Sequence, residues 1–163
     1  MMYNKEITNI NKIKKDKKGG KHLLGMLQNL YCSCQSEFSA FLLFNYQSLT
    51  IKNKQIAKTL EDFSKQYLEN SKQLGSLILK EKGLPFYLNS QHSPLTAFWL
   101  QFDTEENKVL QMDINFLTTL INNYSIYISK IKKEKVLKIL INLKNISIEN
   151  LNKLKDFTAN KNL

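Results

Sequence analysis

The side chains best suited to metal binding or nucleophilic chemistry are few: Cys32 and Cys34, two residues apart, and His22 and His92. Their spacing completes no zinc site, because four Cys or His ligands are needed and no second Cys or His pair is present. The cysteines also stand too close together to staple a fold, and reducing conditions would keep them as thiols. No Glu-x-x-His, Gly-rich phosphate loop, Ser-His-Asp set or Cys-His nucleophile arrangement occurs. Cys34 and Glu37 do share a helical face at i, i+3, with Cys32 and His22 nearby, a combination that would hold a soft metal only weakly. The expectation is no catalytic residue, no metal and no cofactor.

More informative are polar residues inside apolar stripes. Four long stretches show helical periodicity, with steps of four and three. The first, 22–48, carries Leu23, Leu27, Leu30, Cys34, Glu37, Phe41 and Phe44. The second, 54–82, carries Ile56, Leu60, Phe63, Tyr67, Asn70, Leu74 and Leu77, and Gly83 with Pro85 stops it. The third opens on Asp103-Thr104-Glu105-Glu106, a capping-box pattern, and continues through Leu110, Ile114, Leu117, Ile121, Tyr124, Ile128 and Ile131. The fourth, 135–157, carries Leu137, Leu140, Lys144, Ser147, Leu151 and Leu154. Residues 129–135 lack Gly and Pro, so one continuous helix competes with two there.

The stripes are apolar at both ends. Near the middle, three turn polar: Glu37 in the first, Tyr67 and Asn70 in the second, Lys144 and Ser147 in the fourth. Polar groups at matching depth suggest a shared buried layer, since a buried polar group needs a partner. The competing reading is drift of the seam over long helices, which leaves these heads at the edge in water. Under the first reading Lys144 pairs with Glu37, because a lone buried carboxylate is costly.

Between the second and third stripes, residues 84–102 contain Pro85, Pro94 and five aromatics but no period. Nineteen residues reach up to about 65 Å, longer than a helix of about 29 residues, roughly 44 Å. The third helix is thus free to start at the same end as the second, an arrangement that a simple up-down-up-down bundle does not need.

The net charge is +10, all of it from lysine, with no arginine. Without the bidentate fork of arginine, specific phosphate or base readout is weakened, and nonspecific attraction to polyanions remains. Residues 1–21 hold half the excess and read as a flexible basic arm, 22–158 as the bundle and 159–163 as a tail. The N-terminus has no apolar signal core, and no apolar run is long enough to span a bilayer. The expected compartment is the cytoplasm.

Ser36-Glu37-Phe38-Ser39-Ala40 with Tyr46-Gln47-Ser48, then Ile56-Ala57-Lys58, Leu60-Glu61, Leu74-Gly75, Leu77-Ile78, Gly83 and Pro85, and finally Asp113-Ile114 with Ile121 and Tyr124, together resemble the ferritin-like superfamily, in its rubrerythrin-like and manganese-catalase-like branch. The resemblance implies an all-α, ferritin-like antiparallel four-helix bundle with a long crossover between helices 2 and 3. Such bundles hold two metals with a Glu from each of two helices and a Glu-x-x-His from each of the others. Carried over, those positions read Glu37; Tyr67 and Asn70; Leu117; Lys144 and Ser147. One carboxylate of four survives and neither histidine does, so the implied member is degenerate and not an enzyme. The implied role is a non-catalytic structural or protein-interaction one, spore-associated in some relatives, with a protein partner or homodimer and nonspecific polyanion contact through the arm. The alternative is a metal-binding protein with a relocated site, or one with a residual oxidoreductase or metal-storage role.

Overall fold

The computed structural model describes residues 20–86 and 105–159. These form five helices: α1 (20–31), α2 (Glu37–Thr50), α3 (Lys54–Lys80), α4 (Glu106–Ile128) and α5 (Glu134–Ala159). The first periodic run is therefore two helices. Serines line the break. Ser33 Oγ donates to the Asn29 carbonyl (2.8 Å), Ser36 Oγ donates to the Ser33 carbonyl (3.0 Å), and Ser36 also caps α2 by accepting from Ser39 N–H. Hydroxyls that satisfy local carbonyls compete with the helical ladder. The break shifts the phase of the buried face, so Cys32, not Cys34, is the buried cysteine, and Ala40 and Leu43 join Phe44 in the core.

Side-chain contacts set the helix directions. Glu37 meets Asn70, and Phe44 meets Phe63, so α2 and α3 are antiparallel. Glu37 also meets Tyr124 while Phe44 meets Phe116, so α2 and α4 are antiparallel. Tyr67 meets Ser147, and Lys153 lies over Phe63, which makes α3 and α5 antiparallel. It follows that α3 and α4 run in the same direction, so the end of α3 and the start of α4 lie at opposite ends of the bundle. Residues 87–104 between them, including Asp103 and Thr104 of the expected capping box, lie outside the described residues, as does His92. The N-cap of α4 is Glu105, with no side-chain cap bond. In first position in the bundle, α1 leads into α2: Tyr31 packs on Gly75, where an added Cβ would come within 3.2 Å of the ring.

At the end of α3 the left-handed residue is Lys82 (φ 62°), not Gly83. Glycine is required at 83 for space: a Cβ there would sit 2.6 Å from Leu24 Cδ2 and 2.9 Å from Ile78 Cγ2. Its N–H closes the helix by donating to the Ile78 carbonyl (2.9 Å). Helices α4 and α5 are separate, joined through 129–133, where Ser129 Oγ donates to the Ile126 carbonyl and Ile131 is buried as the anchor of the turn.

Two seams are rotated from the sequence stripes. On α4 the fully buried residues include Val109, Asp113, Leu117, Leu120 and Tyr124, while Ile114, Ile121 and Ile128 are half-buried. On α5, Leu143 is buried where the stripe placed Lys144. A straight helix of 3.6 residues per turn departs from a strict 3.5-residue stripe within a few turns. Among the described residues, no helix is long and apolar enough to cross a membrane.

Candidate functional site

The Ser36 cap starts α2 on Glu37, whose side chain is completely buried between α2, α3 and α4. Tyr124 OH donates to its Oε1 at 2.5 Å, and Asn70 Nδ2 donates to its Oε2 at 3.0 Å. Asn70 is held in turn by Gln66, whose Nε2 donates to Oδ1 at 3.2 Å. On the other side of the centre, Tyr67 OH donates to Ser147 Oγ (3.3 Å), which donates to the Leu143 carbonyl (3.3 Å). All four helical positions of the bundle thus contribute to one buried polar layer.

Burial pushes the Glu37 carboxyl up to about 8, against the downward pull of the bonds from Tyr124 and then Asn70. At neutral pH it is mainly the neutral acid. Both phenols are also raised, first by burial and then by the neighbouring Glu37 charge, so they remain protonated donors.

The structure brings together Glu37, Tyr67, Asn70 and Ser147. It does not bring Lys144 into the group. That side chain is half-buried, and Glu37 takes its hydrogen bonds from Tyr124 and Asn70 instead. Leu117 is fully buried two turns before Tyr124. Because Tyr67 faces Ser147, the α5 counterpart of Tyr67-x-x-Asn70 is Ser147-x-x-Asn150, one turn beyond Lys144-x-x-Ser147. Asn150 is buried, with its Nδ2 lacking a partner.

Sequence reasoning missed Tyr124 as a site residue, although it stood in the third stripe. It also missed a second buried pair, Gln47 on α2 and Asp113 on α4. Burial raises the Asp113 carboxyl to about 8, and Gln47 is near enough to draw it down. Even so, neither oxygen of Asp113 nor either amide atom of Gln47 makes a hydrogen bond. The signal was there in Asp113, a charged residue one turn before Leu117 in the apolar middle of the helix, and in Gln47 of the first stretch.

Neither a known family model nor a curated protein matches the sequence. Solved structures do. The manganese catalase KatB from Anabaena superposes with a TM-score of 0.79 at 19% identity, covering 86% of this chain and 72% of the catalase. A dodecameric thioferritin, the bacterioferritin-related protein of Bacteroides fragilis, gives 0.70 at 14% identity, covering 86% of each chain. A Dps protein from Vibrio cholerae, a ferritin-like diiron-carboxylate protein, gives 0.69 at 11% identity, covering 86% and 91%. The chain has the ferritin-like fold. These neighbours correct the expectation that the chain is not an enzyme: manganese catalases are built on this fold, so the fold gives no ground for excluding activity.

The donor set at the centre does not fit the two-metal arrangement of that fold. Two divalent cations need several carboxylates to balance them, and imidazoles to complete their shells. Here the layer offers one carboxyl, neutral near pH 7, with phenols and amides. Among the described residues, no three His, Cys, Asp or Glu side chains converge. The cysteines are free, and burial raises both thiols, Cys32 to about 12, opposite to the lowered pKa that thiolate ligation favours.

Proposed function

We propose that this protein is a ferritin-like bundle with a structural or protein-interaction role, in which a hydrogen-bonded core has replaced the di-metal site. The observation that carries this reading is the Glu37–Tyr124 and Glu37–Asn70 bonding at the bundle centre. In a metal centre those carboxylate oxygens would be ligands; here tyrosine and asparagine occupy both. Self-association is part of the proposal, supported by the dodecameric assembly of the thioferritin neighbour. The cytoplasmic or spore setting belongs to it as well, and cell fractionation tests that.

The test is elemental analysis and sedimentation of the full chain after growth with added iron and manganese. The proposal expects no stoichiometric metal and a dimer or larger assembly. Near-stoichiometric iron or manganese overturns the replaced centre, and a monomer at every concentration overturns the association.

A further inference from the structure

We infer that one end of the bundle is a basic and apolar pole that docks on an anionic phospholipid surface. Three segments meet there. The end of α3 brings Lys80 and Lys82, and the α4–α5 turn brings Lys130, Lys132, Lys133 and Lys135, all exposed. An ion pair from Lys133 to Glu81 (2.5 Å) ties the two segments together. The start of α1 lies at the same end, since Leu24 packs against Gly83 and Gln28 Nε2 donates to the Phe86 carbonyl (2.7 Å).

Among the described residues, only Glu81 and Glu134 oppose the lysines at this pole. Away from it and from its flanking Lys21 and Lys138, the described residues hold nine lysines and nine acidic residues, two of which, Glu37 and Asp113, are buried and mainly neutral. Most of the excess charge of the described residues is therefore concentrated at one end. Lysine clusters of this kind are drawn to the negative potential of anionic lipid, and the attraction fades within a Debye length.

The apolar residues choose among polyanions. Leu79 is 55% exposed, Leu84 78% and Phe86 50%, all beside Lys80 and Lys82. A hollow of about 470 Å³ opens between Leu24, Ile78, Leu84 and Phe86. A nucleic-acid backbone offers such residues nothing to bury against. At a membrane they enter the boundary between headgroups and acyl chains while the lysines stay at the phosphates. Lysine without arginine also suits a diffuse anionic surface better than bidentate phosphate recognition.

The experiment is co-sedimentation of the full chain with vesicles of phosphatidylcholine alone, or of equal phosphatidylcholine and phosphatidylserine, at low and high salt. A duplex DNA retention assay runs in parallel. Salt-sensitive binding to the phosphatidylserine vesicles alone is expected. Lys130→Glu/Lys132→Glu/Lys135→Glu should weaken it by about tenfold or more. The same charge change at the opposite end, Lys52→Glu/Lys54→Glu/Lys155→Glu, should weaken it far less. Leu79→Asn/Leu84→Asn should weaken it at unchanged charge, with circular dichroism verifying that each variant is folded. The inference is overturned by absent vesicle binding, by equal binding to both vesicles, by equal losses in the two lysine triples, by indifference to the leucine change, or by tighter retention on DNA.

Discussion

Replacing Glu37 by glutamine tests the chemistry of the bundle centre directly. The carboxyl moves from an ordinary value of 4.5 to about 8 on folding, so the folded protein binds a proton that the unfolded chain has released between those values. For a raised acid the sign is fixed. The stability of the neutral form is fully present below about pH 4.5 and is lost as pH rises towards 8. At about 1.4 kcal/mol per pH unit, the loss reaches roughly 5 kcal/mol for this one group. Asp113 falls along the same direction, from an ordinary 3.8 to about 8. Against a typical net stability of about 5–15 kcal/mol, the wild-type fold should weaken severely in mild alkali. Glu37→Gln keeps the shape and an acceptor for Tyr124, and carries no proton to lose. Urea denaturation followed by circular dichroism, from about pH 5 to about pH 9, should show wild type and variant similar in acid. The variant should be several kcal/mol more stable in alkali, with about half the slope between. A flat wild-type profile, or an unchanged slope in Glu37→Gln, would refute the buried neutral acid.

Tyr124→Phe leaves a buried carboxyl oxygen without its donor and should cost about 1–3 kcal/mol at neutral pH, read by the same denaturation. Lys144→Met should change stability by no more than about 0.5 kcal/mol, because Lys144 is not a hydrogen-bond partner of Glu37; a loss of several kcal/mol would restore that pair. Lys82→Gly relieves a left-handed lysine and should stabilise by about 1 kcal/mol, raising the thermal midpoint by about 3 °C. Gly83→Ala forces a methyl against Leu24 and Ile78 and should destabilise by about 1–3 kcal/mol in the same thermal scan.

An all-helical bundle was legible in the amino-acid sequence, because leucine, isoleucine and phenylalanine at steps of three and four leave few other ways to bury them. The polar residues at mid-stripe were legible too, since Glu37, Tyr67, Asn70 and Ser147 interrupt runs that are otherwise apolar. What each of them touches depended on helix rotation and register. One turn of slippage separates Lys144 from the face that Ser147 and Asn150 share, and both alternatives satisfy the same approximate stripe. The break after α1 fell where serine hydroxyls found carbonyls, and the need for Gly83 turned on Leu24, fifty-nine residues away. Tyr124 became the partner of Glu37, and Asp113 faced Gln47, only when α4 packed antiparallel to α2. Local periodicity determines which residues go inside; contact between distant segments decides which buried polar groups meet, and therefore their protonation and their chemistry.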